Sequence, residues 1–274
     1  MKTEGAGHSA PPFFTPADLP DIPAPVPQLR VFPSSRLQVY LHVVPRVRIA
    51  VLASGHGSNL QALVDALKDD AGAQVALVVS NRPDAGALEN AQRAGAATAV
   101  IRKDGQDSSG LLQVLRAHQT DLVVLAGYLK RVPDPVVAAY RNRILNVHPA
   151  LLPAFGGHGM YGRHVHLAVL SSGVRVTGAT VHLVDEQYDR GRILAQWPVP
   201  VAVDDTPETL SARVLAVEHL LLPAVVRWFA RLLSTPQMGA TGDLPGLPIL
   251  SLVAPSFVPA DTLPPGLDHA LTTA

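Results

Sequence analysis

The chain has 274 residues, with 22 basic and 22 acidic side chains, a formal net charge of +0 and a sequence pI near 7.2. That balance argues against nucleic acid or an acidic surface as the main partner. No run of about 18 apolar residues is present, so no membrane span is expected, and without cysteine no disulfide, zinc–thiolate centre or cysteine nucleophile is possible.

Proline divides the chain into three parts. Residues 1–45 hold 9 of the 25 prolines, residues 234–274 hold 7, and the longer middle holds 9. The ends show no sustained period of 2 or 3.6, so 1–45 and 234–274 read as poorly ordered extensions. One stretch, Leu37-Gln38-Val39-Tyr40-Leu41-His42-Val43-Val44, could add a strand. The start lacks the apolar core of a signal peptide, which with the missing cysteine fits a cytoplasmic protein. No methionine falls between Met1 and Met160, so a non-standard start near Val47 is an alternative reading. Residues 46–233 are the size of one domain.

The middle opens with an apolar run over 47–53, then Ser54-Gly55-His56-Gly57-Ser58-Asn59. Leu60, Leu63, Val64 and Leu67 follow at helical spacing, so this is strand, glycine turn, helix. A strand over 75–80 and a helix over 85–94 ended by Gly95 come next. A strand over 98–101, a helix over 111–118, a strand over 121–126, a helix over 134–140 and a strand over 144–147 complete the alternation. Strands alternating with helices predict a parallel, doubly wound sheet covered on both faces. Two longer strand-like runs, 174–184 and 193–201, then suit a hairpin, so the sheet ends mixed. Thr206 caps a last helix with Pro207 at its first position. Leu210, Val214, Val217, Leu221 and Leu222 mark its core face, and Pro223 is expected to kink or break it before helix resumes over 225–233.

Three places carry chemistry. Open amides at the start of the first helix make an anion site, and Gly57 lets a phosphate approach the backbone. Ser58 and Asn59 can add hydrogen bonds. No lysine lies in the turn, which separates it from a nucleoside-triphosphate loop, and the spacing is not a dinucleotide fingerprint. The plainer reading is a tight turn with Ser58 as a cap. At the fifth strand, Asn146 and His148 sit two residues apart and share a face, while Pro149 ends the strand. A hydrogen-bond donor beside a titratable group suits chemistry at a carbonyl, although a histidine before proline can also be a plain surface residue. The glycine-rich stretch 155–162 then reads as a substrate-binding loop. Asp189 belongs to a hairpin loop with Asp185 and Glu186, either solvated or placed to orient His148. His158, His164, His166 and His182 invite a metal, but their spacing and the lack of a nearby carboxylate argue against one.

Taken in order, Val-Leu-Ala-Ser-Gly-His-Gly-Ser-Asn-Leu-Gln-Ala at 51–62, Val-Leu-Ala-Gly-Tyr-Leu-Lys at 124–130, Asn-Val-His-Pro-Ala-Leu-Leu-Pro at 146–153, Thr-Gly-Ala-Thr-Val-His-Leu-Val-Asp-Glu at 177–186 and Asp-Arg-Gly at 189–191 resemble the phosphoribosylglycinamide formyltransferases, from about Arg46 to Phe229. The resemblance implies an α/β, Rossmann-like formyltransferase fold with a mostly parallel mixed sheet and helices on both faces. It implies a catalytic trio of Asn146, His148 and Asp189, with a protonated His148 stabilising an oxyanion and Asp189 helping to remove an amine proton. Gly57, Ser58 and Asn59 would hold the substrate phosphate and Glu218 the ribose hydroxyls. Leu129, Lys130, Val132 and Asp185 would line the folate pocket. The cosubstrate would be 10-formyltetrahydrofolate, with no metal, small molecules as the only partners and a monomer or homodimer as the working unit. The family's usual arginine and aromatic are missing from Asp104-Gly105-Gln106-Asp107-Ser108-Ser109-Gly110, Arg190 and Arg192 depart from the usual hairpin, and the 156–163 loop is longer. A deformylase on the same scaffold would bring a folded N-terminal domain, a methionyl-tRNA formyltransferase a basic C-terminal one, and a phosphoribosyl-binding sensor would not need the trio.

Overall fold

The computed structural model describes residues 46–101 and 108–235. The expectations for the 1–45 extension, a strand over 37–44, the tail from 236 and most of the 104–110 segment lie outside the described residues. The elements run β1 (Val47–Leu52), α1 (Ser58–Leu67), β2 (Ala73–Ser80), α2 (Gly86–Arg93), β3 (Ala97–Val100), α3 (Ser108–Ala117), β4 (Leu122–Leu125), α4 (Asp134–Ala139), β5 (Ile144–His148), α5 (Arg163–Ser172), β6 (Val176–Leu183), β7 (Ile193–Pro200) and α6 (Pro207–Leu233). They build one seven-stranded sheet in the order β3-β2-β1-β4-β5-β6-β7. The first five strands pair parallel; β6 pairs antiparallel with β5 and with β7.

Strand periodicity sorts the core into two layers. Ile49 and Val51 of β1 join α1, α2, α5 and α6 on one face, while Ala50 and Leu52 join α3 and α4 on the other. Buried on both faces, β4 and residues 49–52 of β1 read as continuous apolar runs, as parallel strands do. The chain leaves β1 in both directions across the sheet, so a crevice opens between the carboxyl ends of β1 and β4, where such sheets bind ligands.

Most expected elements appear with ends shifted by a residue or two, the usual fraying of boundaries. Two corrections are larger. α5 was not expected; its short apolar face, Val165 and Val169, packs against the layer holding α6. α6 runs unbroken through Pro223. That proline costs one backbone bond, and its neighbours Leu221, Leu222, Val225 and Val226 are buried and hold the helix in place. Thr206 and Thr209 form a reciprocal capping box at its start. At 27 residues and mean hydropathy 1.5, α6 is long and apolar enough to cross a membrane, but 56% of that window is buried inside the fold.

Candidate active site

Asn146 and His148 stand on the end of β5, beside β4 and β6. His148 is 3% exposed and its Nε2–H donates to the Phe155 carbonyl at 2.8 Å. That leaves Nδ1 on the side of Asp189, whose Oδ2 lies 3.7 Å away. Asp189 arrives from the β6–β7 loop with φ 53°, a left-handed conformation that aspartate tolerates better than most residues. Its Oδ2 accepts the Gly157 N–H at 2.8 Å. Asn146 Nδ2 lies 3.0 Å from His182 Nε2, and that same nitrogen lies 3.6 Å from Asp189 Oδ1. Gly156 permits this packing, since a Cβ there would stand 2.5 Å from Leu152 Cδ2 and 3.1 Å from Asp189 Cβ.

Burial lowers the His148 pKa below its ordinary 6.5, with His182 adding to the effect; Asp189 and the Phe155 carbonyl oppose it without winning. Burial thus favours the neutral imidazole in the unliganded site: with water excluded, the cation loses more than one carboxylate at 3.7 Å returns. Burial also works against ionised Asp189, yet His182, His148 and the Gly157 amide together hold its pKa below the usual value.

A second polar pair lies in the same cleft. Glu218, on α6, is 7% exposed, and burial pushes its pKa up to about 7 against the pull of Asn59. Asn59 Nδ2 donates to Glu218 Oε2 at 2.6 Å, while Asn59 Oδ1 is buried without a hydrogen-bond partner. One N–H of the Asn59 side chain is thus committed to Glu218.

The glycine turn needs its glycine for packing. Gly57 has φ 82°, and a Cβ on it would come within 2.6 Å of the Ala87 Cα of α2. Gly57, not Ser58, occupies the N-cap of α1, and no side chain caps the helix, so the first-turn amides are available to an anion.

The cleft measures about 490 Å³. Asn59, Leu129, Lys130, Val132, Asn146, His148, Asp185, Asp189 and Glu218 all line it, whereas Gly57 and Ser58 do not. The Leu129 N–H donates to buried Ser54 Oγ at 3.0 Å, fixing the backbone after β4. Residues 47–226 match the family model described as formyl transferase.

The chain belongs to the formyl transferase family. A chloroplastic phosphoribosylglycinamide formyltransferase from Arabidopsis thaliana is 48% identical over 192 residues, which is 68% of this chain and 66% of that protein. The crystal structure of glycinamide ribonucleotide transformylase 1 from Symbiobacterium toebii is 42% identical with TM-score 0.64, covering 68% of this chain and 88% of that one. A formyltetrahydrofolate deformylase from Pseudomonas syringae pv. tomato is 25% identical with TM-score 0.62, covering 68% and 62%.

Within this formyl transferase domain, the sequence analysis does not place His182 or His166 in the site, although both line the cleft. His182 and His166 were weighed only as metal ligands. Among the described residues, no three His, Asp or Glu side chains gather in a metal-holding group. His158 instead packs edge-on against Tyr188, and His164 packs at a tilt against Tyr161. The available signal was His182 itself, an imidazole in a buried strand, but its partner Asn146 lies 36 positions away.

Proposed function

We propose that the domain transfers the formyl group of 10-formyltetrahydrofolate to the amine of 5-phosphoribosylglycinamide. The observation that carries this reading is a carboxamide and an imidazole, with one imidazole nitrogen turned to a carboxylate, at one end of a cleft that extends to Glu218. The identity to transferases supports it over the hydrolase, the more distant relative.

In this reading the uncapped first turn of α1 takes the phosphate through backbone N–H groups. Glu218 accepts the ribose hydroxyls, and the backbone of Leu129, Lys130 and Val132 with the Asp185 loop holds the folate. The neutral amine attacks the formyl carbon, and a tetrahedral oxyanion forms. Asn146 donates to that oxygen. His148 rests neutral with its Nε2–H held by Phe155, so Nδ1 takes the proton leaving the amine. The resulting imidazolium sits beside Asp189, which stabilises it, and then gives that proton to the folate nitrogen as the carbon–nitrogen bond breaks. The pre-placed phosphate makes the attack effectively unimolecular.

Residues 46–233 carry this activity in our reading and the extensions are dispensable, in a cytoplasmic monomer or homodimer. A truncated 46–233 protein is expected to keep kcat/KM within about tenfold, or 1.4 kcal/mol. The deciding assay incubates the protein with 10-formyltetrahydrofolate, with and without the ribonucleotide, and follows the folate product. Product only with ribonucleotide supports transfer; product without it makes the protein a deformylase; ribonucleotide binding with no product makes it a sensor.

A further inference from the structure

We infer that His182 is a positioning residue that fixes which end of the Asn146 carboxamide faces the reacting atoms. The inference rests on the proposed formyl transfer for its kinetic consequence, but not for its geometry. His182 is 2% exposed on β6, directly opposite Asn146 on β5. The pairing of β6 with β7 shifts register between Val181 and His182, an irregularity of the kind that re-aims a side chain.

The hydrogen-bond chain has one direction. His182 Nδ1 lies 2.8 Å from the Leu183 carbonyl oxygen, which can only accept, so Nδ1 carries the proton. Asp189 Oδ1, at 3.6 Å from Nε2, lies beyond hydrogen-bond distance, and a neutral imidazole then has its lone pair on Nε2. The atom 3.0 Å away must donate to it, and in a carboxamide only the nitrogen does. One Asn146 N–H is thereby committed to His182, and the second is left for the cleft that Asn146 lines. Reversing the amide would set its oxygen against the Nε2 lone pair and offer the reacting oxygen an acceptor where it needs a donor. Gly191 belongs to the same device: a Cβ there would run into the Leu183 carbonyl oxygen that orients His182.

The chain explains why a buried histidine stands where an apolar strand residue would pack. An imidazole held at one nitrogen presents a fixed acceptor at the other, which a rotating hydroxyl does not.

Long-range 15N–1H spectra of the unmodified protein read the tautomer directly. A proton on Nδ1 of His182 supports the inference; a proton on Nε2 overturns it, because Asn146 would then have to present its oxygen. That measurement stands whether or not the protein turns over, so an inactive protein would sink the proposed reaction and leave this result intact. Kinetics give the second arm. His182→Leu is expected to lower kcat by roughly 10- to 100-fold, less than the 10²–10³ for outright loss of an oxyanion donor, with ribonucleotide KM within about twofold. His182→Gln restores an acceptor and is expected to stay within about fivefold of the parent. On an Asn146→Ala background, His182→Leu is expected to cost under about twofold. Equal kcat losses in the Leu and Gln variants, or a full loss on the Asn146→Ala background, would mean that His182 acts only by filling space.

Discussion

Asp189 and Glu218 line one cleft, both are largely buried, and burial works against the ionised form of each. Asp189 nevertheless stays below its ordinary pKa, while Glu218 climbs to about 7. The difference lies in the partners. Asp189 has two imidazoles within 3.7 Å and a backbone N–H at 2.8 Å, whereas Glu218 has the single Asn59 amide. At similar depth, the groups around a carboxyl decide whether burial wins. The arrangement suits two tasks: a fixed negative charge beside the imidazole that gains a proton, and an adaptable group for hydroxyls.

The strongest way to break the comparison is to remove the fixed charge. Asp189→Asn is expected to lower kcat by two to three orders of magnitude, about 2.7–4 kcal/mol, with little change in ribonucleotide KM. The His148→Ala, Asp189→Asn double variant is expected to cost far less than the product of the single effects, measured by steady-state kinetics. Simple multiplication would show that the two residues work independently.

Glu218→Gln removes the other carboxyl. Its native pKa is raised from 4.5, so its stability contribution is present below 4.5 and lost as pH rises through about 7. Holding such a group ionised costs on the order of 3–4 kcal/mol at about 1.36 kcal/mol per pKa unit. Denaturant titrations are therefore expected to show the variant equal to the parent near pH 4 and more stable above pH 8. A constant difference across pH would remove the raised pKa from the account. His148 bends the profile from the other side: its pKa is lowered, so its contribution is present above the ordinary 6.5 and lost as pH falls below it.

Asn59→Leu sharpens the contrast by taking away the one donor Glu218 has. The Glu218 carboxyl, followed by 13C NMR, is expected to titrate above 7, with stability down by about 1–2 kcal/mol. An unmoved midpoint would show that Asn59 is not what restrains it. The smallest effect belongs outside the cleft. Arg141 pairs with Glu186 at 2.7 Å on the exposed side of the Asp189 loop. Arg141→Ala is expected to change stability by under about 1 kcal/mol and leave kcat alone, as exposed pairs do. A large kcat loss would mean that the ion pair, and not Gly157 and the histidines, places Asp189.

The first half of the domain was more legible than the second. Its strands are apolar on both faces and its helices follow glycine or polar turns, so β1 to β5 appear near their expected positions. α5 was hidden because it begins after Gly162 with no side-chain cap and shows two histidines within its first turn. At Pro223 local propensity favours a break, while burial of the flanking leucines and valines keeps α6 continuous. Gly57 was legible as a glycine that mattered, but the reason is Ala87 of α2, 30 positions away.

The sequence by itself determined the alternation of elements, the two-residue spacing that puts Asn146 and His148 on one face, and the ordered motifs of a formyl transferase. Only the tertiary structure decided that Asp189 meets both His148 and His182, that Asn59 serves Glu218, and that burial outweighs Asp189 in lowering the His148 pKa. Periodicity and turn chemistry act over a few residues and are written locally. Desolvation and proton placement depend on every group that surrounds an atom, and those groups come from strands and loops that only folding brings together.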